Sequence, residues 1–559
     1  MSSHTLLFLG LAVSLLCTSA RAQTVLHSID GDAEAIALGT AVAFAGDVDG
    51  DGVIDVVVGD DAYAFQQGRV QVFSGVDGDV IRTYTGGFFG TRFGASVDGA
   101  GHVDADAYAD LVIGVPEDEC DCPFTGHGLV ISGATGTVLH DFEPPTGESW
   151  TGWSVAGVGD MNDDGFDDVL IGVPSWPFWT TGTGRAWLLS GRDGSDIHVF
   201  EGDAPRDFFG ADVGRAGDVD GDGVNDLIIG ASQEVFPGTG AGYARVFSGT
   251  DFSELLTLHG STPDEAFGAA VAGLGDVEGD GFGDLLVGAA GPWYDPSLAG
   301  RVTVFSGFDG DEIDSLVGDA PGARLGRSLD ALGDVDNDGV GDFIVGVPGA
   351  SSVASNAGRA LVISGLTRSV LSSLDGASAG DSLGYAVAGG GSDIDGDGMP
   401  DAVIGAPGAD PNGRVLVVSL VPVGLSLYGS GTPGCAGAIR LSGNSVPSAG
   451  HGGFVFTITG APTLKGGLVA VTDAQDLPGS DPFGLGALLH VDVLSSTFVH
   501  LLATASDANG VATAALPIPT NPVLVGRSFY AQAIWNQGTS CGGPPPDLAS
   551  SNGLELTVQ

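Results

Sequence analysis

Apolar positions between residues 24 and 420 fall into short runs that are separated by segments rich in glycine and aspartate. The run after Asp226 (Leu-Ile-Ile-Gly) is continuously apolar, which is typical of a strand that is buried on both faces. Other runs, such as residues 300–307 and 313–318, are equally short, and a tight glycine-rich turn separates them. The pattern predicts β-strands along this whole part of the chain.

These strands belong to a unit that occurs seven times. The segment Gly-Asp-Val-Asp-Gly-Asp-Gly begins at residue 46, and equivalent segments follow at steps of 55 to 59 residues. Each unit contains a short alternating strand, an aspartate-rich loop, the continuous apolar strand and two further strands. Four short strands in about 58 residues are typical of one blade of a β-propeller.

The ends of the repeat region indicate a closed ring. The seventh unit stops after its third strand, near Leu420, and a spare strand sequence at Thr24–Asp30 precedes the first unit. Pairing of that N-terminal strand into the last blade would leave no unpaired sheet edge, whereas an open solenoid would need no such arrangement. We therefore predict an all-β protein with a seven-bladed β-propeller over residues 23–421.

Residues 424–559 lack the repeat, and apolar stretches at 453–459, 468–472 and 528–534 predict further strands there. Cys435 and Cys541 lie near the two ends of this region, and we expect them to form a disulfide. The region is predicted to be a small β-sandwich-like domain. Its role stays open between glycan binding, surface attachment and sorting.

The aspartate-rich loops have the spacing D-x-D-x-D-G-x-x-D, so carboxylates at positions 1, 3, 5 and 9 can converge on one centre. The backbone carbonyl of position 7 adds another oxygen, and hard oxygen ligands in this number suit Ca²⁺. The candidate ligands, unit by unit, are Asp47, Asp49, Asp51, Val53 and Asp55; Asp104, Asp106 and Asp110; Asp160, Asn162, Asp164, Phe166 and Asp168; Asp218, Asp220, Asp222, Val224 and Asp226; Asp276, Glu278, Asp280, Phe282 and Asp284; Asp334, Asp336, Asp338, Val340 and Asp342; and Asp393, Asp395, Asp397, Met399 and Asp401.

The second unit departs from this spacing. It has His102 at position 1 and Ala107 at position 6, where the other six loops have a glycine that permits a positive-φ turn. We expect about six structural calcium sites, with the site of blade 2 empty or weak. An ordinary metal-free Asp/Gly turn is the alternative, although four clustered carboxylates without a cation would repel one another. An EF-hand is excluded because Val58 stands where position 12 would need glutamate.

The charge balance supports a cation as the partner of these loops. The chain has 71 acidic residues against 18 basic ones, a formal net charge of −53. Nucleic acid and anionic membranes are therefore disfavoured as partners, because both would be repelled. A halophilic surface would also be acidic, but its acids would be scattered, whereas these are clustered in the loops.

Residues 1–22 have the features of a signal peptide, with an apolar stretch at 6–16 followed by the small-x-small sequence Ala-Arg-Ala. The sequence predicts no transmembrane segment, so we expect a protein that is secreted or held at the cell surface, and a monomer. In an exported chain Cys120 and Cys122 are candidates for a local disulfide, although the spacing is short enough to strain it. A metal site at this Cys-x-Cys pair is the alternative.

Several units carry a Phe-Gly or Leu-Gly pair, the loop, and then a Gly-Ala-Pro-like sequence, as in Leu383-Gly384 with residues 405–407 and Phe93-Gly94 with residues 114–116. This combination resembles the FG-GAP repeats of integrin α-subunits over about 400 residues. The resemblance implies a calcium-binding propeller that acts in extracellular adhesion or ligand binding. It also implies that the loop positions given above are the calcium ligands.

Propeller topology places the aspartate loops on one face and the loops between second and third strands, and between blades, on the other. The second set carries aromatic residues that suit a protein or glycan ligand: Trp150, Trp176, Phe178, Trp179, Trp293 and Tyr294. Packing between blades is the alternative role for these side chains. The sequence contains no catalytic constellation, so we expect a non-enzymatic adhesion or ligand-binding module, with a lectin or a polysaccharide-degrading enzyme as alternatives.

Overall fold

The computed structural model describes residues 24–420 except 88, 118–125, 144–149, 175–181, 234–239, 293–294, 337 and 397. Beyond residue 424 it describes eleven C-terminal strands and residue 516. Within these ranges almost all regular structure is β. The exception is the short element α1 (Tyr63–Gln66), in which Ala64, Phe65 and Gln66 have left-handed backbone dihedrals.

Residues 24–420 form seven four-stranded antiparallel sheets, so the predicted seven-bladed β-propeller is confirmed. The spare N-terminal strand β1 spans Thr24–Asp30. The strands of blades 1 to 7 follow in chain order: β2 (Ala41–Gly46), β3 (Asp55–Asp60), β4 (Arg69–Phe73) and β5 (Val80–Thr85); β6 (Ser96–Gly101), β7 (Asp110–Val115), β8 (His127–Ile131) and β9 (Val138–Phe142); β10 (Val155–Gly159), β11 (Asp168–Val173), β12 (Arg185–Leu189) and β13 (Asp196–Glu201); β14 (Phe209–Gly217), β15 (Asp226–Ala231), β16 (Tyr243–Phe247) and β17 (Glu254–His259); β18 (Phe267–Gly275), β19 (Asp284–Ala289), β20 (Arg301–Phe305) and β21 (Glu312–Val317); β22 (Leu329–Gly333), β23 (Asp342–Gly346), β24 (Arg359–Ile363) and β25 (Val370–Asp375); β26 (Val387–Ala388), β27 (Asp401–Ala406) and β28 (Arg414–Ser419).

The first strand of each blade lies against the first strands of the two neighbouring blades. These contacts run from β2 through β6, β10, β14, β18 and β22 to β26, and β26 in turn contacts β2. The first strands therefore surround a central axis, and the remaining three strands of each blade lie progressively further out.

The second strand of every blade is buried between its neighbours. All residues of β3, β7, β11, β15, β19, β23 and β27 are buried. Leu111 and Ile113 of blade 2, for example, share one core cluster with Val57 and Val70 of blade 1. A strand that packs on both faces has no solvent side, which explains why these sequences are continuously apolar.

The N-terminal strand lies in the last blade. Thr24–Asp30 pairs antiparallel with Arg414–Ser419, so the fourth strand of blade 7 comes from the start of the chain. The guanidinium of Arg414 donates to the Asp30 carboxylate at 2.5 Å across this junction. A further parallel bridge joins Leu38 to Gly413. The ring is thus closed by backbone pairing and by an ion pair.

The Phe-Gly part of the repeat joins each blade to the blade before it. Isolated parallel bridges connect the start of a third strand to the first residue of the Phe-Gly pair in the next blade, as in Gly184–Phe209 and Gly242–Phe267. That first residue is buried in all seven blades: Leu38, Phe93, Thr151, Phe209, Phe267, Leu325 and Leu383.

The first glycine of the Gly-Ala-Pro-like sequence packs against the glycine of the next Phe-Gly pair. A Cβ atom on Gly230 of blade 4 would lie 2.0 Å from the carbonyl oxygen of Gly268 in blade 5, where no side chain fits. Gly268 itself has a φ of +83°, a conformation that favours glycine. The two halves of the repeat motif are therefore the two sides of one contact between blades.

The C-terminal strands form three separate sheets. One contains six strands and the others contain three and two strands. Their bounds are β29 (Leu425–Tyr428), β30 (Arg440–Gly443), β31 (Val455–Thr459), β32 (Gly466–Thr472), β33 (Gln475–Ser480), β34 (Leu489–Val491), β35 (Val499–Ala505), β36 (Ala512–Ala515), β37 (Ser528–Asn536), β38 (Leu548–Ser550) and β39 (Gly553–Thr557). All the described elements of this region are β-strands, as predicted, and its sandwich-like packing stays a prediction.

Two other sequence predictions concern the termini and the cysteines. Among the described residues, the structure has no helix that is long and apolar enough to cross a bilayer. The proposed signal peptide at 1–22 and the four cysteines Cys120, Cys122, Cys435 and Cys541 lie outside the described residues.

The contact between blades can be tested in blade 4 with two glycines that differ in their surroundings. We expect Gly230→Ala to destabilise the protein by at least about 2 kcal/mol, because the new methyl group meets backbone of the next blade. Gly214→Ala is the matched control, since its Cβ would meet only the Val271 carbonyl oxygen at 3.7 Å. Urea unfolding midpoints measure both effects, and equal midpoints for the two variants would contradict the proposed role of this contact.

Candidate metal centres and the opposite face

The aspartate loops connect the first and second strands of the blades, and they all lie on one face of the ring. In the first six blades each loop begins directly after the inner strand, as Asp47 does after β2, and in all seven blades the loop ends where the buried second strand begins, as at Asp55. The turns between third and fourth strands lie on the same face. Loop and turn are therefore close together in the first six blades, although about 20 residues separate them.

The aspartate at position 9 joins loop and turn. Its side chain is completely buried in all seven blades: Asp55, Asp110, Asp168, Asp226, Asp284, Asp342 and Asp401. One carboxylate oxygen accepts the backbone N–H of loop position 2 at 2.7 to 2.8 Å. In the first six blades the other oxygen accepts the N–H of a glycine in the turn at 2.8 to 3.1 Å, as Asp55 does from Gly75.

The aspartate at position 1 shapes the loop. In six blades its carboxylate accepts the N–H of the glycine at position 6 at 2.8 to 3.0 Å, as Asp47 does from Gly52. These six glycines have φ values between +87° and +96°. The predicted positive-φ turn at position 6 is thus present, and it points the amide back at the first carboxylate.

The carboxylate at position 5 is also bonded within the loop. It accepts the N–H of position 7 at 2.8 to 3.1 Å in the first six blades. This bond brings the peptide group of position 7, whose carbonyl is a candidate ligand, next to the acidic cluster. Asp397, the position 5 residue of blade 7, lies outside the described residues.

At least three loops bring the carboxylates of positions 1, 3 and 9 together. In each of them, one oxygen from every residue lies within 4.8 Å of the other two. The groups are Asp47, Asp49 and Asp55; Asp218, Asp220 and Asp226; and Asp334, Asp336 and Asp342. Carboxylate oxygens at this separation fit a hard cation.

The electrostatics of the loops favour the binding of a positive charge. Burial raises the pKa of Asp55 to about 6, and the neighbouring carboxylates of Asp49 and Asp51 add to the shift. Burial likewise raises the pKa of Asp342 to about 7, with a contribution from Asp336. The buried Oδ1 atom of Asp218 has no hydrogen-bond partner among the described residues. A cation at the centre would compensate these carboxylates and satisfy that oxygen.

Blade 2 differs from the other blades in the way the sequence suggested. Asp104, Asp106 and Asp110 lie within the same 4.8 Å limit, so three carboxylates remain. However, a ring nitrogen of His102 lies 3.1 Å from the carbonyl oxygen of Tyr108, which is the position 7 carbonyl of this loop. The histidine thus makes a contact across the loop where the other blades offer a carboxylate and a carbonyl for a metal ion.

The face opposite the loops carries aromatic side chains. Trp150, one of the predicted ligand residues, stacks on Trp153 with ring centroids 4.4 Å apart and planes 7° from parallel. The other five predicted residues, Trp176, Phe178, Trp179, Trp293 and Tyr294, lie outside the described residues.

Sequence reasoning missed two aromatic residues on this face. Phe65 is 84% exposed and Phe89 is 71% exposed, and their rings meet edge to face at 6.0 Å. They lie in the loop after β3 and in the loop before β6, which end on this side of the ring. The two rings together form an exposed apolar site on this face.

Comparison with known proteins points to one family. The FG-GAP repeat family model matches residues 151–189 and 209–247, which lie in blades 3 and 4. The chain is similar to integrin alpha-5 of Xenopus laevis, with 31% identity over 238 residues that make up 38% of this chain and 21% of that protein. Human integrin alpha-IIb is 33% identical over 223 residues, or 37% of this chain and 21% of that protein. The chain therefore spans about a fifth of the length of the relatives it matches.

Because His102 contacts the Tyr108 carbonyl in blade 2, we predict that replacing it can restore a metal site there. We expect the double variant with His102→Asp and Ala107→Gly to bind one more calcium ion per chain than the parent protein, because it regains the first carboxylate and the positive-φ turn. Isothermal titration calorimetry with Ca²⁺ measures the stoichiometry. The matched control combines His102→Ala with Ala107→Gly, which removes the ring but adds no ligand, and unchanged stoichiometry in the aspartate variant would contradict the prediction.

Proposed function

We propose that this chain, an FG-GAP repeat protein with an integrin α-like β-propeller, is a secreted adhesion or ligand-binding module whose loops hold structural calcium. The observation that carries the proposal is the separation of two faces. Convergent carboxylates lie on one face of the ring, and exposed aromatic side chains lie on the other. The first face has the chemistry to bind cations, and the second has the chemistry to bind a partner.

The calcium is proposed to be structural because of where the loops are attached. Each loop connects the inner strand to the buried second strand, and in the first six blades the position 9 aspartate ties it to the outer turn of the same blade. A cation at positions 1, 3 and 9 would therefore hold three parts of one blade together. Calcium suits an extracellular site of this type, because such sites bind at about 10⁻⁴ to 10⁻³ M, close to the concentration outside cells.

The ligand is proposed to bind on the opposite face. Loops carry binding residues more often than strands do, because a rigid scaffold can hold variable loops. Trp150, Phe65 and Phe89 all lie in such loops, and aromatic side chains are enriched where proteins bind their partners. The relatives named above are integrin α-subunits, which is consistent with a role in extracellular contact.

The stabilising role of calcium can be tested by chelation. If a site binds at about 10⁻⁴ M and calcium is at about 10⁻³ M, each site adds roughly 1.4 kcal/mol, so several sites together add as much as the stability of a small domain. We expect excess EGTA to lower the melting temperature strongly, and added Ca²⁺ to restore it. An unchanged melting curve in EGTA would show that the loops are metal-free turns.

Two aspartates of blade 4 provide a matched pair for the same measurement. Asp220, at position 3 of the loop, and Asp251, in the outer turn, each accept the N–H of the residue two positions later, at 3.1 and 3.0 Å. We expect Asp220→Ala to reduce the rise in melting temperature that Ca²⁺ produces, and Asp251→Ala to leave that rise unchanged. An equal rise in melting temperature in the two variants would mean that Asp220 does not bind the ion.

The position of the ligand face can be tested with exposed phenylalanines. We expect the double variant Phe65→Ser with Phe89→Ser to lose binding to whichever ligand is found on arrays of matrix proteins and glycans probed with and without calcium. Phe308→Ser is the control, because Phe308 is 63% exposed but contacts Phe282 on the loop face. Loss of binding in the control alone would place the ligand site on the loop face, and a ligand found only among glycans would favour the lectin alternative.

A further inference from the structure

Some of the aspartate loops are joined to one another by backbone hydrogen bonds. At three junctions, the N–H of position 8 in one loop donates to the carbonyl oxygen of position 1 in the loop of the preceding blade. The donors and acceptors are Ala109 and Asp47 at 2.8 Å, Asp167 and His102 at 3.1 Å, and Gly283 and Asp218 at 2.6 Å. These bonds join blades 1 and 2, blades 2 and 3, and blades 4 and 5. A change in one of these loops can therefore reach the next loop directly.

The peptide group that makes this bond also contains a candidate calcium ligand. The carbonyl of position 7 and the N–H of position 8 belong to one planar peptide, and in a trans peptide they point in opposite directions. Blade 2 shows both ends of such a peptide. The N–H of Ala109 donates to Asp47 of blade 1, and the carbonyl of Tyr108 lies 3.1 Å from a ring nitrogen of His102 in its own loop. One end of the peptide thus contacts its own loop while the other end contacts the preceding loop.

In blades 4 and 5 this peptide lies between two loops that both have acidic residues at positions 1, 3, 5 and 9. Phe282 supplies the position 7 carbonyl of blade 5, and the N–H of Gly283 donates to the backbone carbonyl of Asp218 in blade 4. The carboxylate of Asp218 belongs to the cluster that also contains Asp220 and Asp226. A single peptide and a single aspartate therefore connect the candidate ligands of blade 5 with those of blade 4.

The side chain at position 7 adds a second contact between the same two loops. A Cβ atom on Gly221, at position 4 of the blade 4 loop, would lie 3.3 Å from the ring of Phe282, so this ring lies against that loop. The ring of Tyr108 lies against Gly50 of blade 1 in the same way, at 2.7 Å from the Cβ position. Because packed atoms transmit displacements to their neighbours, the position of the Phe282 peptide and the conformation of the preceding loop depend on each other.

We propose that the calcium sites of blades 4 and 5 are coupled, so that binding of the ion in either loop raises the affinity of the other. This proposal rests on the proposed function, which places calcium in these loops, and it concerns the regulation of those sites. The Phe282 carbonyl is polarised when it binds a cation, which makes the N–H of Gly283 a stronger donor to Asp218. The stronger bond holds Asp218 in place as a ligand of blade 4. The coupling is reciprocal, because linkage between two binding equilibria is symmetric.

Two other junctions show what the coupling requires. In blade 2 the His102 ring contacts the Tyr108 carbonyl, so a histidine holds this peptide in the place where blade 5 has a candidate cation site. The loop of blade 1 is therefore supported by its neighbour without a second ion. In blade 7 position 8 is Pro400, which has no N–H and cannot donate to the loop of blade 6. The shared peptide thus needs both an N–H at position 8 and a cation at the carbonyl before it can couple two sites.

A double-mutant cycle on the full chain tests the coupling through the rise in melting temperature between EGTA and Ca²⁺. Asp220→Ala removes the position 3 carboxylate of blade 4, and Glu278→Ala removes that of blade 5. If either ion raises the affinity for the other about fivefold, and calcium is at about twice the dissociation constant of a lone site, the double variant loses only about three quarters of the sum of the two single losses. Asp220→Ala with Asp49→Ala, in the distant blade 1, is the control pair, for which we expect the two losses to add.

The shared peptide is tested with two substitutions of Gly283. Gly283→Pro removes the N–H that donates to Asp218, and proline is the natural residue at this position in blade 7. Gly283→Ala is the matched control, because Ala109 makes the same bond in blade 2 with a methyl group present. We expect the losses from Asp220→Ala and Glu278→Ala to add in the proline background and to remain less than additive in the alanine background.

Additive losses for the two variants in the parent chain would overturn the coupling and leave the calcium proposal intact, because each single variant would still lower the calcium-induced rise. The same shortfall in the control pair, or a shortfall that persists in a folded proline variant, would overturn the role of the shared peptide. Melting curves in EGTA show whether each variant is folded. Single variants that leave the calcium-induced rise unchanged would overturn the calcium sites and their coupling together.

Discussion

The buried aspartate at the start of each second strand is the group on which the organisation of the blades depends. It is inaccessible to solvent in every blade, and a buried carboxylate must be compensated by hydrogen bonds or by a positive charge. Its two oxygens hold the beginning of the loop and, in the first six blades, the turn between the two outer strands. The same oxygens border the acidic cluster, so one side chain serves both the fold of the blade and the proposed cation site.

The assembly of blades into a ring depends on a second contact, between backbones that no side chain separates. The glycine at the end of the second strand packs on the carbonyl of the glycine in the next Phe-Gly pair, as Gly230 does on Gly268. Gly405 of blade 7 makes the equivalent approach to Gly39 of blade 1, so the contact continues across the point of closure. Because each repeat contacts mainly its neighbours, a contact of this kind must be repeated in every blade for the ring to form.

The two faces of the ring have different chemistry because the topology sorts their residues. Loops between first and second strands collect the acidic residues, and the ends of the first strands on the other side collect arginines and aromatic rings around the axis. Structural cations on the loop face would keep the blades rigid without occupying the surface that is available to a partner.

Most of the propeller could be predicted from the sequence, because its signals are local. The spacing of apolar runs and glycines repeats seven times, and the loop ligands lie within nine residues of one another, so a short segment specifies each of them. Even the irregular loop of blade 2 was visible, since His102 and Ala107 stand at positions that the other units fill with aspartate and glycine.

Tertiary structure decided the features that join distant segments. The second hydrogen bond of Asp55 goes to Gly75, in a turn that the loop spacing does not reveal. Arg92 and Arg327 come from blades 2 and 6, and only closure of the ring brings them to one cavity. Phe65 and Phe89 form a pair because two loops of neighbouring blades end side by side. The sequence by itself thus determined the blades and their loops, whereas the shared axis and the two faces exist only once all seven blades are closed, because they are made of contacts between residues that are far apart in the chain.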